Sequence, residues 1–216
     1  MILLILASCA TASDAAESGT DDGGVVTTLI RDMVSAVEDR TLSSSDIEEA
    51  LDSSYLSYSG YIPSYVEIRN RYLASLLAVV EEGRAELFSS TVLSAGEEIG
   101  NNPSPYLSGE LVTPSLRAAT AEILTERLTE YLLGRSGELD SAFSESEDTF
   151  GRVRKAYAAL SAVSKGVVLP TAGKAAPARL AAAAVESYFS LLGEEEREIR
   201  SNPLYGGRSL FLENQI

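Results

Sequence analysis

From Val25 almost to Asn202, apolar residues return every three or four positions, and no segment alternates with a period of two. Such spacing puts them along one face of a 3.6-residue helix, whereas a half-buried strand would need alternation. The chain is therefore predicted to be all-α. At 216 residues it is long enough for one core burying roughly 70% of the unfolded chain's surface. No repeat recurs along it, and no apolar run after residue 9 could span a bilayer.

The stripes define individual helices. Val25, Val26, Leu29, Ile30, Met33, Val34 and Val37 share one face, with Arg31, Asp32 and Glu38 off it. Ser45 to Glu48 form a capping-box pattern, in which a hydroxyl and a carboxylate each satisfy a free backbone donor at a helix start. Ile47, Ala50, Leu51 and Leu56 continue its apolar face, and Gly60 and Pro63 break the chain. From Tyr65 to about Ile99 the period is helical, with Gly83 and Gly96 as expected weak points; one kinked helix or two both fit.

Asn101 to Gly109 reads as a loop, after which Thr113 caps and Pro114 opens a helix carrying Leu116, Ile123, Leu124, Leu128, Tyr131 and Leu132 to Gly134. Two shorter helices, Leu139 to Phe143 and Phe150 to Ala162, precede the loop Lys165 to Ala176. Pro177 opens the last helix, which Asn202 and Pro203 end. One helical bundle domain, 25–216, is expected.

The first residues, MILLILAS, are apolar, end in small side chains and precede Cys9, the chain's one cysteine. Leu6, Ala7, Ser8 and Cys9 resemble the bacterial lipoprotein lipobox, which implies a signal peptide over 1–8 and a diacylglycerol acceptor at Cys9. No Lys or Arg precedes the run, so a start codon upstream is expected. The other reading is a core segment ending in a buried free Cys. Ala10 to Gly24 is small, acidic and Gly/Ser-rich, too poor in apolar groups to offset the entropy of ordering it. Residues 9–24 are thus a lipidated Cys and a flexible tether. The resemblance implies a cell-envelope location, anchored to a membrane through lipid on Cys9. With Ala10 in place of a retaining Asp, the outer membrane is favoured, facing the periplasm or the surface.

A second resemblance lies in the last half of the chain. VESYFSLLGEEEREIRSNP, over 185–203, is similar to the close of an uncharacterised bacterial family of helical domains of unknown function, through Phe189, Glu194, Glu195, Glu196, Ile199, Arg200 and Pro203. Thr113, Leu116, Arg117, Thr120 and Leu124 match the spacing of its middle motif, and Tyr157 a third position. The resemblance implies an exported helical protein and supplies no chemistry.

Side-chain chemistry narrows the function. Without His and with a single Cys, the chain lacks the residues of zinc enzymes, haem proteins and His-based triads. Thirty-two acidic against 17 basic groups, a net charge of -15, would repel a phosphate backbone, so nucleic acid is not an expected partner. The Ser side chains have no activating His and no Ser-x-x-Lys motif. No catalytic residue, cofactor or metal site is assigned.

Glu194, Glu195 and Glu196 could act as acid/base carboxylates, but as a solvated helical face they pair simply, Glu196 with Arg200 and Glu194 with Arg197. Tyr55, Tyr58, Tyr61, Tyr65 and Tyr72 could line a pocket or pack at a core margin. Arg117, half turned to the core beside Leu116, is expected to reach one of Glu194, Glu195 or Glu196 and tie the middle helix to the last. Two functions follow as expectations: a lipid-anchored, non-catalytic envelope protein binding or organising an unknown partner, or a carboxylate-dependent hydrolase or small-ligand carrier with a Tyr/Glu-lined cavity.

Overall fold

The structure is a computed structural model and describes residues 22–48, 50, 63–160 and 177–202. The lipobox, Cys9, most of the tether, Tyr55, Tyr58, Tyr61 and the 165–176 loop lie outside the described residues, as do the side chains of Tyr65 and Tyr157. Among the described residues there are seven helices and no strand. They are α1 (Asp22–Glu38), α2 (Ser44–Glu48), α3 (Pro63–Gly100), α4 (Ser104–Leu107), α5 (Thr113–Gly134), α6 (Ser136–Leu160) and α7 (Pro177–Ser201).

α1 buries Val26, Leu29, Ile30, Met33, Val34 and Val37, the stripe read from the sequence without Val25, which is only partly buried. It starts three residues earlier than expected, at Asp22, so Asp22 to Gly24 belong to the helix rather than the tether. An acid in the first turn favours this start, because it faces the helix's positive end.

The 38-residue α3 is one unbroken helix in contact with α1, α2, α5, α6 and α7. Its glycines are places of close approach rather than weak points. A methyl group at Gly83 would stand 2.7 Å from Leu128 Cδ1 and Tyr131 Cδ1, and one at Gly96 would stand 2.9 Å from Ile30 Cγ2. At Gly100 it would collide with the Thr27 hydroxyl. The cost of glycine in a helix, about 1 kcal/mol each, is offset by letting α1 and α5 seat directly on the α3 backbone.

Three further expectations change. The α2 cap is Ser43, whose Oγ accepts from the Ser45 N–H at 3.2 Å, while Glu48 turns away to pair with Arg69 on α3. α6 is continuous where two short helices were expected. Ile123 is 48% exposed, because it falls off the face formed by Leu116, Thr120, Leu124 and Leu128.

Leu29, Met33, Leu76, Val80, Leu124, Leu128, Leu180 and Leu192 meet in one core, each fully enclosed. Burial of each such side chain contributes about 1.5–3 kcal/mol. Ala181 and Ala184, also fully buried, give α7 a thin face that lets it approach its neighbours.

Candidate functional site

The polar chemistry of the domain concentrates where the end of α7 meets the start of α5. Four residues of the closing motif, Glu194, Glu195, Glu196 and Arg200, dock onto three different parts of the fold.

Glu196 is 0% exposed, overturning its reading as a solvated acid. Its Oε1 accepts from the Val112 N–H at 2.7 Å and from Arg200 Nε at 2.9 Å; its Oε2 accepts from the Thr113 N–H at 2.9 Å and Thr113 Oγ1 at 2.8 Å. The backbone donors that begin α5 are thus satisfied from another helix. Thr113 therefore does not cap α5 as expected: its hydroxyl donates to Glu196, and no side chain of the local sequence closes the helix start. Arg200 continues the network, donating to the carbonyls of Tyr106 at 3.3 Å and Glu110 at 2.9 Å. Both carboxylate oxygens are occupied and enclosed, so Glu196 has no open side for a substrate proton.

Glu194 and Glu195 turn the other way. Arg40, in the link between α1 and α2, donates to Glu195 Oε1 at 2.6 Å and Glu194 Oε2 at 2.9 Å. These bonds, that to Glu195 first, hold the Arg40 guanidinium above its ordinary pKa. The same link is gripped from α3. Buried Arg84 donates to Val37 O, to Arg40 O at 2.9 Å and to Glu81 Oε2 at 2.6 Å, while Glu81 Oε1 accepts from the Leu42 N–H at 2.5 Å. Ser187 on α7 donates to Asp46 of α2 at 2.6 Å.

Arg117 does not reach the acidic run. It pairs with Glu186, so it still links α5 to α7, but at an exposed position worth at most about 1 kcal/mol. The closing acids already have other partners, which is the physical reason the expected link fails. Thr120 is 3% exposed and spends its hydroxyl on Leu116 O of its own helix at 2.7 Å. The expected Glu194–Arg197 pair also does not form: Glu194 goes to Arg40, and Arg197 makes no hydrogen bond or ion pair among the described residues.

Beside this junction, α5 and α7 leave a groove of about 670 Å³. Pro114, Ala118 and Ala121 line it from α5, and Phe189, Gly193 and Arg197 from α7. Sequence reasoning missed it, having looked for a cavity among the tyrosines. Tyr72, the one of that series whose side chain is described, is 2% exposed and belongs to the core.

Tyr188 is edge-on to Phe88, with ring centroids 5.0 Å apart, and to the groove-lining Phe189 at 5.7 Å. It is 1% exposed, its hydroxyl has no hydrogen-bond partner among the described residues, and burial pushes the phenol above its ordinary pKa. Above a pH of about 10 the unfolded chain loses this proton while the folded chain keeps it. Stability from this group is thus complete below that pH and falls as pH rises beyond it. Urea midpoints of Tyr188→Phe are expected to decline less than wild type above pH about 10, and at neutral pH to match or exceed wild type, because an unpaired buried hydroxyl costs about 1–3 kcal/mol. A steeper alkaline decline in the variant would contradict this.

Among the described residues, no group of three or more His, Cys, Asp or Glu side chains could hold a metal ion, and no helix is long and apolar enough to cross a membrane. The class that fold and site define is an all-α domain closed by a C-terminal polar junction. Comparison with protein-family models, curated proteins and solved structures gives no match.

Proposed function

We propose that the chain is a lipid-anchored, non-catalytic protein of the cell envelope that binds or organises a partner. The observation that carries this reading is Leu6-Ala7-Ser8-Cys9, the lipobox-like run after an apolar start. The acidic tether behind it supports the reading, since it would hold the helical domain off an anionic surface. Residues 1–53 hold 11 acids against 2 basic groups. Several acyl chains on one Cys would hold the protein stably, where a single chain would not.

Labelled palmitate is expected to enter the wild type, and Cys9→Ser is expected to take up none and to become soluble in the envelope. Label retained in the Ser variant would overturn the anchor. Reversible crosslinking in membranes, followed by recovery of Cys9-anchored protein, is expected to return one dominant partner.

Of the alternatives, a carboxylate-dependent hydrolase finds little support in Glu196, whose oxygens are already filled. A small-ligand carrier is favoured by one specific observation, the α5–α7 groove, whose volume lies in the range of ligand sites.

A further inference from the structure

Resting on that carrier reading, and not on the anchor, we infer that the α5–α7 groove binds a monoanionic amphiphile, a carboxylate on an aliphatic body. The argument begins with charge. In a chain of net charge -15, the groove is lined by two guanidiniums, Arg117 and Arg197, and one carboxylate, Glu186. Glu186 already pairs with Arg117. Arg197 is left with no acid, because its helical neighbour Glu194 is drawn to Arg40 on the other side of α7.

The backbone at Gly193 then leaves room beside that guanidinium. Arg197 Nη1 lies 3.8 Å from where a side chain would begin at Gly193, and the Thr113 methyl lies at the same distance. A larger residue at 193 would take up this space; glycine leaves it open. One uncompensated fork of N–H donors matches one carboxylate, which it can hold through two parallel bonds. The adjacent walls are apolar: Pro114, Ala118 and Ala121 on one side and the edge of Phe189 on the other. An aliphatic body laid along them removes apolar surface from water, while its head meets Arg197.

The test uses the full chain carrying Cys9→Ser, titrated calorimetrically with decanoate and, separately, with decanol below their aggregation limits. Decanoate is expected to bind saturably at one site per chain, and decanol at least about tenfold more weakly, the scale of one charge-assisted hydrogen-bonded pair. Arg197→Gln, a change at an exposed position, is expected to weaken decanoate by about the same factor without altering decanol or the melting temperature. Equal affinity for decanoate and decanol, or an unchanged decanoate affinity in Arg197→Gln, would overturn the anion site and leave an apolar carrier groove. No saturable binding of either would remove the carrier reading itself. Palmitate labelling at Cys9 is unaffected by any of these results.

Discussion

Replacing Glu196 by alanine is expected to destabilise the domain by about 3–5 kcal/mol, the range for breaking a buried charged network at one partner. Four donors lose their acceptor at once: two backbone N–H groups at the start of α5, the Thr113 hydroxyl and the Arg200 side chain. Water cannot simply replace the carboxylate, since the site is fully enclosed. Glu196→Gln keeps the shape but turns an amide NH2 towards N–H donors, so an intermediate loss is expected. Equilibrium urea unfolding followed by helical circular dichroism measures both. A double-mutant cycle with Arg200→Met is expected to show clear coupling, because removing both partners no longer strands a cation. A loss below about 1 kcal/mol for Glu196→Ala, the level of an exposed pair, would mean the network does not hold α5 to α7.

A comparable loss, about 3–5 kcal/mol, is expected for Arg84→Ala. Its guanidinium closes the C-terminal end of α1 by donating to the Arg40 carbonyl and to that of Val37, which also accepts from the Arg40 N–H at 3.1 Å. It also fixes Glu81, which in turn holds the Leu42 N–H. Arg84→Lys is expected to restore little, because one ammonium cannot span three acceptors as a planar fork does. Hydrogen exchange gives a local readout: the Leu42 amide should lose protection in Arg84→Lys well before the amides of central α3. If Leu42 stays as protected as in wild type, the clamp is not what orders the α1–α2 link.

The apolar stripes were legible because burial repeats with the helical period; α1 buries every residue of its stripe except Val25, which is only partly covered. What could not be read were the positions where a polar group or a glycine sits on such a stripe. Glu196 follows Leu192 by four residues and precedes Ile199 by three, and Arg84 stands four residues from both Val80 and Phe88. Each interrupts a core face, which is the signal that could have marked it as buried. Its partners, however, lie 84 and 47 positions away in the chain, and local spacing carries no information about them. Gly83 and Gly96 misled for the same reason: propensity penalises them within the helix, and only the crossing of α5 and α1 shows why they are tolerated. The groove was invisible because it is defined by the missing side chain at Gly193 and by the choice Glu194 makes between two arginines.

The cap on α5 also sets an order of events. A chain emerging from the ribosome N-terminus first has the whole of α5 in hand well before residue 196 exists, yet until then the donors that open that helix have only water to accept from them. α7 also supplies the acids that hold Arg40 and the hydroxyl that holds Asp46. The contacts that α7 provides to α5, to Arg40 and to α2 therefore form only once α7 has been made, and those upstream elements stay short of them until then.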